Sequence, residues 1–393
     1  MIYKEFKGKQ LSQLGFGAMR LPLLDGGAID EVQVEQMVDY AMSKGLNYFD
    51  TAYPYHNGAS EEVLGRILKK YDRDSFYLAT KFPGHQISES YDPAAVFEDQ
   101  LKKCQVEYFD FYLIHNVSEG SLGTYFDPRW NIVPYFIEQK KAGRIKHLGF
   151  SSHGTIPVMK EFLEAYGHEM EFCLIQANYL DWTLQDAKGK CEFLNEQGLA
   201  IMVMEPLRGG KLAKLDETSE TAMKEMRPDE SIPAWGLRFL QEVEGMAVIL
   251  SGMSTYDQMV DNLKTFEERK PLTAVETEFV LNVAEGMKDS VPCTSCRYCT
   301  DDCPMELDIP VLIEILNEMK VMPGFNPVLR VEGMPEDKRP SACIGCGKCV
   351  DICPQRINVP EEFKLLTELL AKMPSWAQIC REREAAAAKA KQK

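Results

Sequence analysis

Apolar residues fall into two rhythms over roughly the first 270 positions of the chain. Short runs dense in Val, Ile, Leu, Phe and Tyr (QLGFGAM, LNYFDTA, SFYLATKF, FDFYLIHN, KHLGFSS, FCLIQANYL, LAIMVME and MAVILSG) have the length and residue types of buried strands. The stretches between them, such as EEVLGRILKKY, VFEDQLKKC and VMKEFLEAY, repeat their apolar residues three and four apart, which lines one face of a helix. Eight such strands, most followed by a helix, predict an α/β protein built as a parallel (β/α)8 TIM barrel. A doubly wound open sheet is the alternative, but no Gly-rich dinucleotide loop follows the first strand.

Past residue 285 the strand pattern stops and a motif repeats with a spacing of 50 residues. Cys293, Cys296, Cys299, Cys303 and Pro304 recur as Cys343, Cys346, Cys349, Cys353 and Pro354, and LDIP at 307–310 recurs as INVP at 357–360. VLIEILNEMK after Pro310 and EEFKLLTELLAKM after Pro360 read as helices with a proline in the first turn. The pattern predicts a barrel over 1–285, a smaller, mainly helical module over 286–380, and a solvated charged and Ala-rich tail over 381–393.

Composition narrows the chemistry. A formal net charge of -16 argues against a nucleic-acid partner, which needs clustered positive charge. No stretch has the uninterrupted apolar length of a membrane span, and MIYKEFKGKQ lacks the apolar run of a signal peptide, so a cytoplasmic chain without a membrane partner is expected. In that compartment twelve cysteines read as metal ligands or catalytic groups rather than disulfides, and eight of the twelve lie between 293 and 353. The scattered Cys104, Cys173, Cys191 and Cys380 are expected to be buried apolar thiols.

Each cysteine run reads C-x2-C-x2-C-x3-C-P, in which three closely spaced thiolates grip one 4Fe-4S cluster and the fourth reaches a second. That logic assigns Cys293, Cys296, Cys299 and Cys353 to one cluster, and Cys343, Cys346, Cys349 and Cys303 to the other. Structural zinc is the alternative, although zinc sites use separated ligand pairs that close one tetrahedron. The segment from about 293 to 360 resembles the two-cluster ferredoxins of bacteria. Between Cys303 and Cys343 it carries a helix and the proline-rich VMPGFNPVLRVEGMPEDKRP, which brings it closer to the helical two-cluster modules of fumarate-reductase-type iron-sulfur subunits. Either resemblance implies transfer of single electrons.

In a parallel barrel the chemistry sits at the carboxyl ends of the strands. Polar residues there are Asp50 in NYFDTA, Tyr55 in the loop that follows, Lys81 in LATKF and His115 in YLIHN. A phenol is a weak acid near neutral pH unless an ammonium stabilises its phenolate; Lys81 would do so while Asp50 holds the lysine, and His115 would orient a carbonyl oxygen. Taken one at a time, a strand-end tyrosine is ordinary packing and a lysine ordinary solvation. Together with LGFGAMRLP at 14–22, FDTAYPYHNGASEEVLGRIL at 49–68, TKF at 80–82 and the histidine of YLIH, however, residues 1 to about 270 resemble the aldo-keto reductase family.

The resemblance implies a catalytic tetrad of Tyr55, Asp50, Lys81 and His115, a small carbonyl substrate, and hydride supplied by NADPH or NADH. It also implies cofactor contacts from Met19, Arg20, Asp50, Ser151, Ser152, Gln176, Met204, Leu207, Gly252, Gln258 and Asn262. Met204 stands where many members have a tyrosine that stacks on the nicotinamide, and Gly252 and Gln258 stand where NADPH-specific members have a lysine and an arginine. NADH use or loose specificity follows unless Arg20 or Arg208 takes over the ribose phosphate.

A nicotinamide moves two electrons as a hydride and a 4Fe-4S cluster moves one, so the fusion calls for a link that the sequence does not name. No flavin fingerprint is present, although a barrel can bind a flavin phosphate through late loops. The first expectation is a carbonyl reductase with Tyr55 as general acid, its clusters facing an electron-transfer protein partner or sensing redox state. The alternative is an iron-sulfur electron-transfer or redox-sensing protein whose barrel binds a ligand without turnover, and a third reading sends cluster electrons straight to the substrate. Substrate choice would lie in the loops at 116–130 and 211–231, where Tyr125, Phe126 and Trp130 are candidates for an apolar wall or for packing within their own loop.

Overall fold

The computed structural model describes the chain apart from residues 85–91, 288–290, 292, 294–297, 302, 322, 354–356, 377, 383–384 and 386–393. Cys296 and most of the tail at 381–393 therefore lie outside the described residues.

A short hairpin, β1 (Tyr3–Phe6) and β2 (Lys9–Ser12), precedes eight strands: β3 (Leu14–Gly17), β4 (Tyr48–Asp50), β5 (Tyr77–Phe82), β6 (Phe109–Val117), β7 (Ile145–Ser152), β8 (Phe172–Gln176), β9 (Ala200–Met204) and β10 (Met246–Ser251). Strands β3 to β10 run parallel in chain order and close where β10 pairs with β3, which is the barrel the sequence pattern predicts. The hairpin was not foreseen. Its four-residue strands are rich in charge, and its turn rests on positive φ at Lys7 (47°) and Gly8 (81°), the geometry that lets a two-residue turn match strand twist.

Period-two alternation sorts the strand residues. Tyr48, Ala79, Phe111, Leu113, Phe172, Leu174, Met202, Val248 and Leu250 fill the barrel interior with Phe6 and Leu11 of the hairpin. Phe49, Leu78, Tyr112 and Ile114 instead join the layer shared with the surrounding helices. Phe6 plugs the amino end, its ring 5.4 Å from Phe111 and 5.0 Å from His147 between centroids. At the other end the same alternation turns Asp50, Lys81 and His115 inward, one layer above Tyr48, Ala79 and Leu113.

The carboxy-terminal module has its own core. Helices Ile309–Val321 and Val359–Ala371, the repeated pair expected behind the cysteines, pack together through Leu312, Ile313, Leu316, Phe363 and Leu366, with Cys299 and Cys349 buried beside them. A further helix, Phe325–Glu332, occupies the proline-rich stretch between the two cysteine runs. The module sits on the carboxyl end of the barrel: Gln185 Nε2 donates to Glu318 at 2.5 Å, Asn326 Nδ2 meets His153 Nδ1 at 3.1 Å, and a Cβ on Gly333 would come within 3.3 Å of the backbone of Glu119 and Gly120. Among the described residues no helix is long and apolar enough to cross a membrane.

Candidate functional site

Lys81 is sealed in the barrel mouth, its side chain 1% exposed. Its ammonium donates to Asp50 Oδ1 at 2.6 Å and to the Thr51 carbonyl at 2.7 Å. Its neighbours in β5 explain why it stays there. Outward-facing Thr80 donates to buried Glu61 at 2.6 Å, and Gln100 Nε2 reaches Glu61 (2.7 Å), Thr80 (3.1 Å) and the Lys81 carbonyl (3.1 Å), so a buried polar network pins the strand from behind. Burial lifts the Glu61 carboxyl to about 7, with Thr80 and Gln100 opposing the lift.

Tyr55 reaches the same spot from a loop. After it His56 and Asn57 hold positive φ (51° and 55°) and Gly58 follows at 91°, a left-handed run that reverses the chain after HNG. The turn sets the Lys81 Nζ 4.9 Å from the Tyr55 ring centroid and the His115 ring 6.2 Å away, edge-on at 81°. Burial is the largest influence on the Tyr55 hydroxyl and raises it above the ordinary phenol range; Lys81 pulls it back down without cancelling that effect. For Lys81 itself burial works downward, but Asp50 and Tyr55 outweigh it and hold the ammonium above its usual range; burial likewise raises the Asp50 carboxyl, with Lys81 pulling it back down across the 2.6 Å contact. All four tetrad residues thus converge, although burial leaves the phenol less acidic than the lysine alone would make it.

A cavity of about 500 Å3 opens above them. Of the cofactor contacts implied by the resemblance, Met19, Arg20, Asp50, Ser151, Gln176, Met204 and Gly252 line it. Ser152, Leu207, Gln258 and Asn262 do not. Ser152 Oγ bonds the Val117 carbonyl at 2.7 Å, Leu207 packs toward Gly236, Gln258 accepts the Ser254 N–H at 2.8 Å, and Asn262 donates to Ser251 Oγ at 2.9 Å, so local structure employs each of them. Neither candidate for a ribose phosphate stands alone: Arg20 Nη2 contacts Glu205 at 3.0 Å, and buried Arg208 pairs with Asp181. Asp181 also accepts from Gln176 at 2.8 Å and Asn178 at 2.7 Å, so one carboxylate joins the segment at the end of β8 to Arg208.

The loop aromatics pack rather than line the cavity. Tyr125 is buried with its hydroxyl on the His115 carbonyl, which props that strand end, and the Phe126 ring stacks near Tyr166. The walls that sequence reasoning missed come from the module: Phe325, Asn326, Pro327, Leu329, Glu318 and Trp376 all face the cavity. Nothing local in the sequence ties them to Tyr55; only the docking does.

In the module, Cys303, Cys343, Cys346 and Cys349 line one small apolar cavity with Leu307, Ile309, Val359 and Phe363. That set is the second group of ligands read from the spacing. Cys299 lies within electrostatic reach of Cys293 and Cys353, three of the first group. An apolar cavity ringed by four thiols suits a cluster, which needs thiolate ligands. Cys104, Cys173 and Cys191 are buried as expected, whereas Cys380 is only half-buried.

Comparison with known proteins agrees with both regions. The model of the aldo/keto reductase family matches residues 13–278, and that of the 4Fe-4S dicluster domain matches 292–357. An uncharacterized oxidoreductase, YqkF, of Bacillus subtilis is 25% identical over 293 residues, covering 66% of this chain and 89% of its own. An NADH-specific methylglyoxal reductase of Escherichia coli is 26% identical over 225 residues, covering 51% of this chain and 65% of its own. Among solved structures, the holo form of aldo-keto reductase AKR11C1 from Bacillus halodurans is 26% identical with a TM-score of 0.59, covering 72% of this chain and 96% of that one. The chain belongs to the aldo/keto reductase family of oxidoreductases, with a 4Fe-4S dicluster domain behind its barrel.

Proposed function

We propose that the protein is a nicotinamide-dependent carbonyl reductase in which Tyr55 is the general acid. The observation that carries the reading is the sealed Lys81–Asp50 pair beneath Tyr55 at the floor of a cavity large enough for a nicotinamide and a small substrate. Met19, Arg20, Asp50, Ser151, Gln176, Met204 and Gly252 would hold the nicotinamide, which when bound supplies a hydride to the carbonyl carbon. Tyr55 gives its phenolic proton to the carbonyl oxygen as that oxygen becomes an alkoxide. Lys81 steadies the phenolate left behind, Asp50 keeps Lys81 in place, and His115 orients the oxygen.

Cys293, Cys296, Cys299 and Cys353 would hold one cluster and Cys303, Cys343, Cys346 and Cys349 the other; when bound, such clusters transfer single electrons. Carboxylates beside Arg20 and Arg208 favour NADH over NADPH, because a 2'-phosphate would have to displace them. Rates for a panel of aldehydes, ketones and quinones, with wild type and Tyr55→Phe, test the mechanism. The variant should lose about 10²–10⁴ in kcat. An unchanged rate refutes Tyr55 as the acid, and absence of turnover with tight NADH binding supports the ligand-binding alternative.

A further inference from the structure

The cavity over Tyr55 has a floor and a roof of opposite character. The floor presents Tyr55, His115, Lys81 and Asp50. The roof comes from the iron-sulfur module and presents two aromatic rings, Phe325 and Trp376, beside Pro327 and Leu329; Glu318, which also faces the cavity, is taken up by Gln185 and Arg330. The two rings lie 5.1 Å apart between centroids and are tilted by 52°, so they form one continuous apolar surface.

This roof is built and anchored. The Trp376 backbone N–H meets both oxygens of Glu332 at 3.2 and 3.3 Å, tying the tryptophan to the far end of the helix that begins at Phe325. Buried Arg330 in the same helix pairs with Glu314 at 2.9 Å and Glu318 at 3.5 Å, which fastens it to helix Ile309–Val321. Asn326 with His153, and Gly333 against Glu119 and Gly120, fix it to the barrel. Asn326, the polar side chain beside Phe325, is thereby already engaged.

We propose that Phe325 and Trp376 are the specificity wall of the carbonyl site, selecting substrates whose carbonyl is carried on an aromatic ring over small aliphatic or hydroxylated carbonyls. This rests on the reductase reading for turnover, though not for binding. A substrate with one polar end and a flat apolar body satisfies both surfaces: oxygen down to Tyr55, ring up against Phe325 and Trp376. A short aliphatic aldehyde gains the floor alone. The wall also gives the fusion a purpose that needs no electron transfer between its halves, because Phe325 lies on the segment strung between Cys303 and Cys343.

The test uses the full chain with its clusters, comparing benzaldehyde with propanal in wild type, Trp376→Phe, Trp376→Ala, Phe325→Leu and Phe325→Ala. The alanine variants should lose roughly ten- to hundredfold in kcat/KM for benzaldehyde, through KM, while propanal changes less than about threefold. The conservative Phe and Leu variants should recover most of the loss. Equal losses for both aldehydes, or none, overturn the wall. Titration with acetophenone supplies an independent reading: emission quenched in wild type and unquenched in Trp376→Phe is expected, and equal quenching in both overturns it. Quenching at Trp376 without turnover of any carbonyl would refute the reductase reading and leave the wall standing.

Discussion

The two regions of this molecule organise their functional groups by different means. In the barrel, protein hydrogen bonds position the site: Lys81 is held by Asp50 and the Thr51 carbonyl, the strand behind it by Glu61 and Gln100, and the His115 backbone by Tyr125. In the module, the cysteines ring an apolar cavity and the thiols of Cys299 and Cys349 are themselves core residues. The barrel's polar groups are preorganised by its own hydrogen bonds, whereas the module's thiols are set into an apolar core where a cluster, if bound, would cross-link the two helices. On the proposed ligand assignment, the barrel folds without any metal while the module's stability is coupled to cluster binding.

Lys81→Met is the hardest blow to the barrel side of this contrast. It leaves Asp50 buried without its cation, so about 3–5 kcal/mol of stability should go, together with most of the activity. A urea melt with an unshifted midpoint would show that the pair is not what holds the mouth together. Iron extraction under reducing conditions attacks the other side. Limited proteolysis should then cut freely beyond residue 286 while the barrel fragment survives; equal protection of both regions would erase the distinction. Cys303→Ser is a finer probe, since it should halve the iron content by emptying the cradle that Cys343, Cys346 and Cys349 form, even though Cys303 belongs to the other run. Loss of the first cluster instead would refute the crossed assignment.

The seam between the regions gives the next effect. Burial pushes the Glu318 carboxyl up to about 7, with Arg330 the largest opposing influence. Because the folded value exceeds the unfolded one, near 4.5, the proton is bound more tightly in the folded chain. The associated stabilisation is fully present below about pH 4.5 and is lost as pH rises toward and through 7, a change of up to about 3 kcal/mol. Glu318→Gln should flatten stability over that window in melts at several pH values; a slope equal to wild type would place the titration elsewhere. The smallest effect expected is at the nucleotide. Glu205→Gln releases the half-exposed Arg20, so the ratio of NADPH to NADH affinity should rise by about tenfold or less, measured by titration, and a fall in that ratio would remove Arg20 from the phosphate site.

The legible parts of the sequence were those governed by a local period. Alternation along NYFD, LATKF and YLIHN brings Asp50, Lys81 and His115 to one layer, and the fifty-residue repeat foretells both the paired helices and the four thiols around one cavity. What could not be read depends on where segments meet. Phe325 and Trp376 lie some 270 and 320 positions beyond Tyr55, and no pattern in either neighbourhood refers to the barrel. Gln258 and Asn262 fit a nucleotide role by residue type, yet the structure spends them on a helix cap and a buried hydrogen bond. The hairpin β1–β2 was hidden because strands of four residues carrying lysines and glutamates look like coil until their partner is known.

That hairpin bears on traffic through the enzyme. Among the described residues, Phe6 stops the amino end of the barrel and interior side chains fill its bore. In the mechanism proposed above, the proton that restores Tyr55 would enter through the same covered mouth that admits the substrate and releases the product. Recharging that acid and discharging the product would then share one passage, and a bulky product slow to depart would delay both.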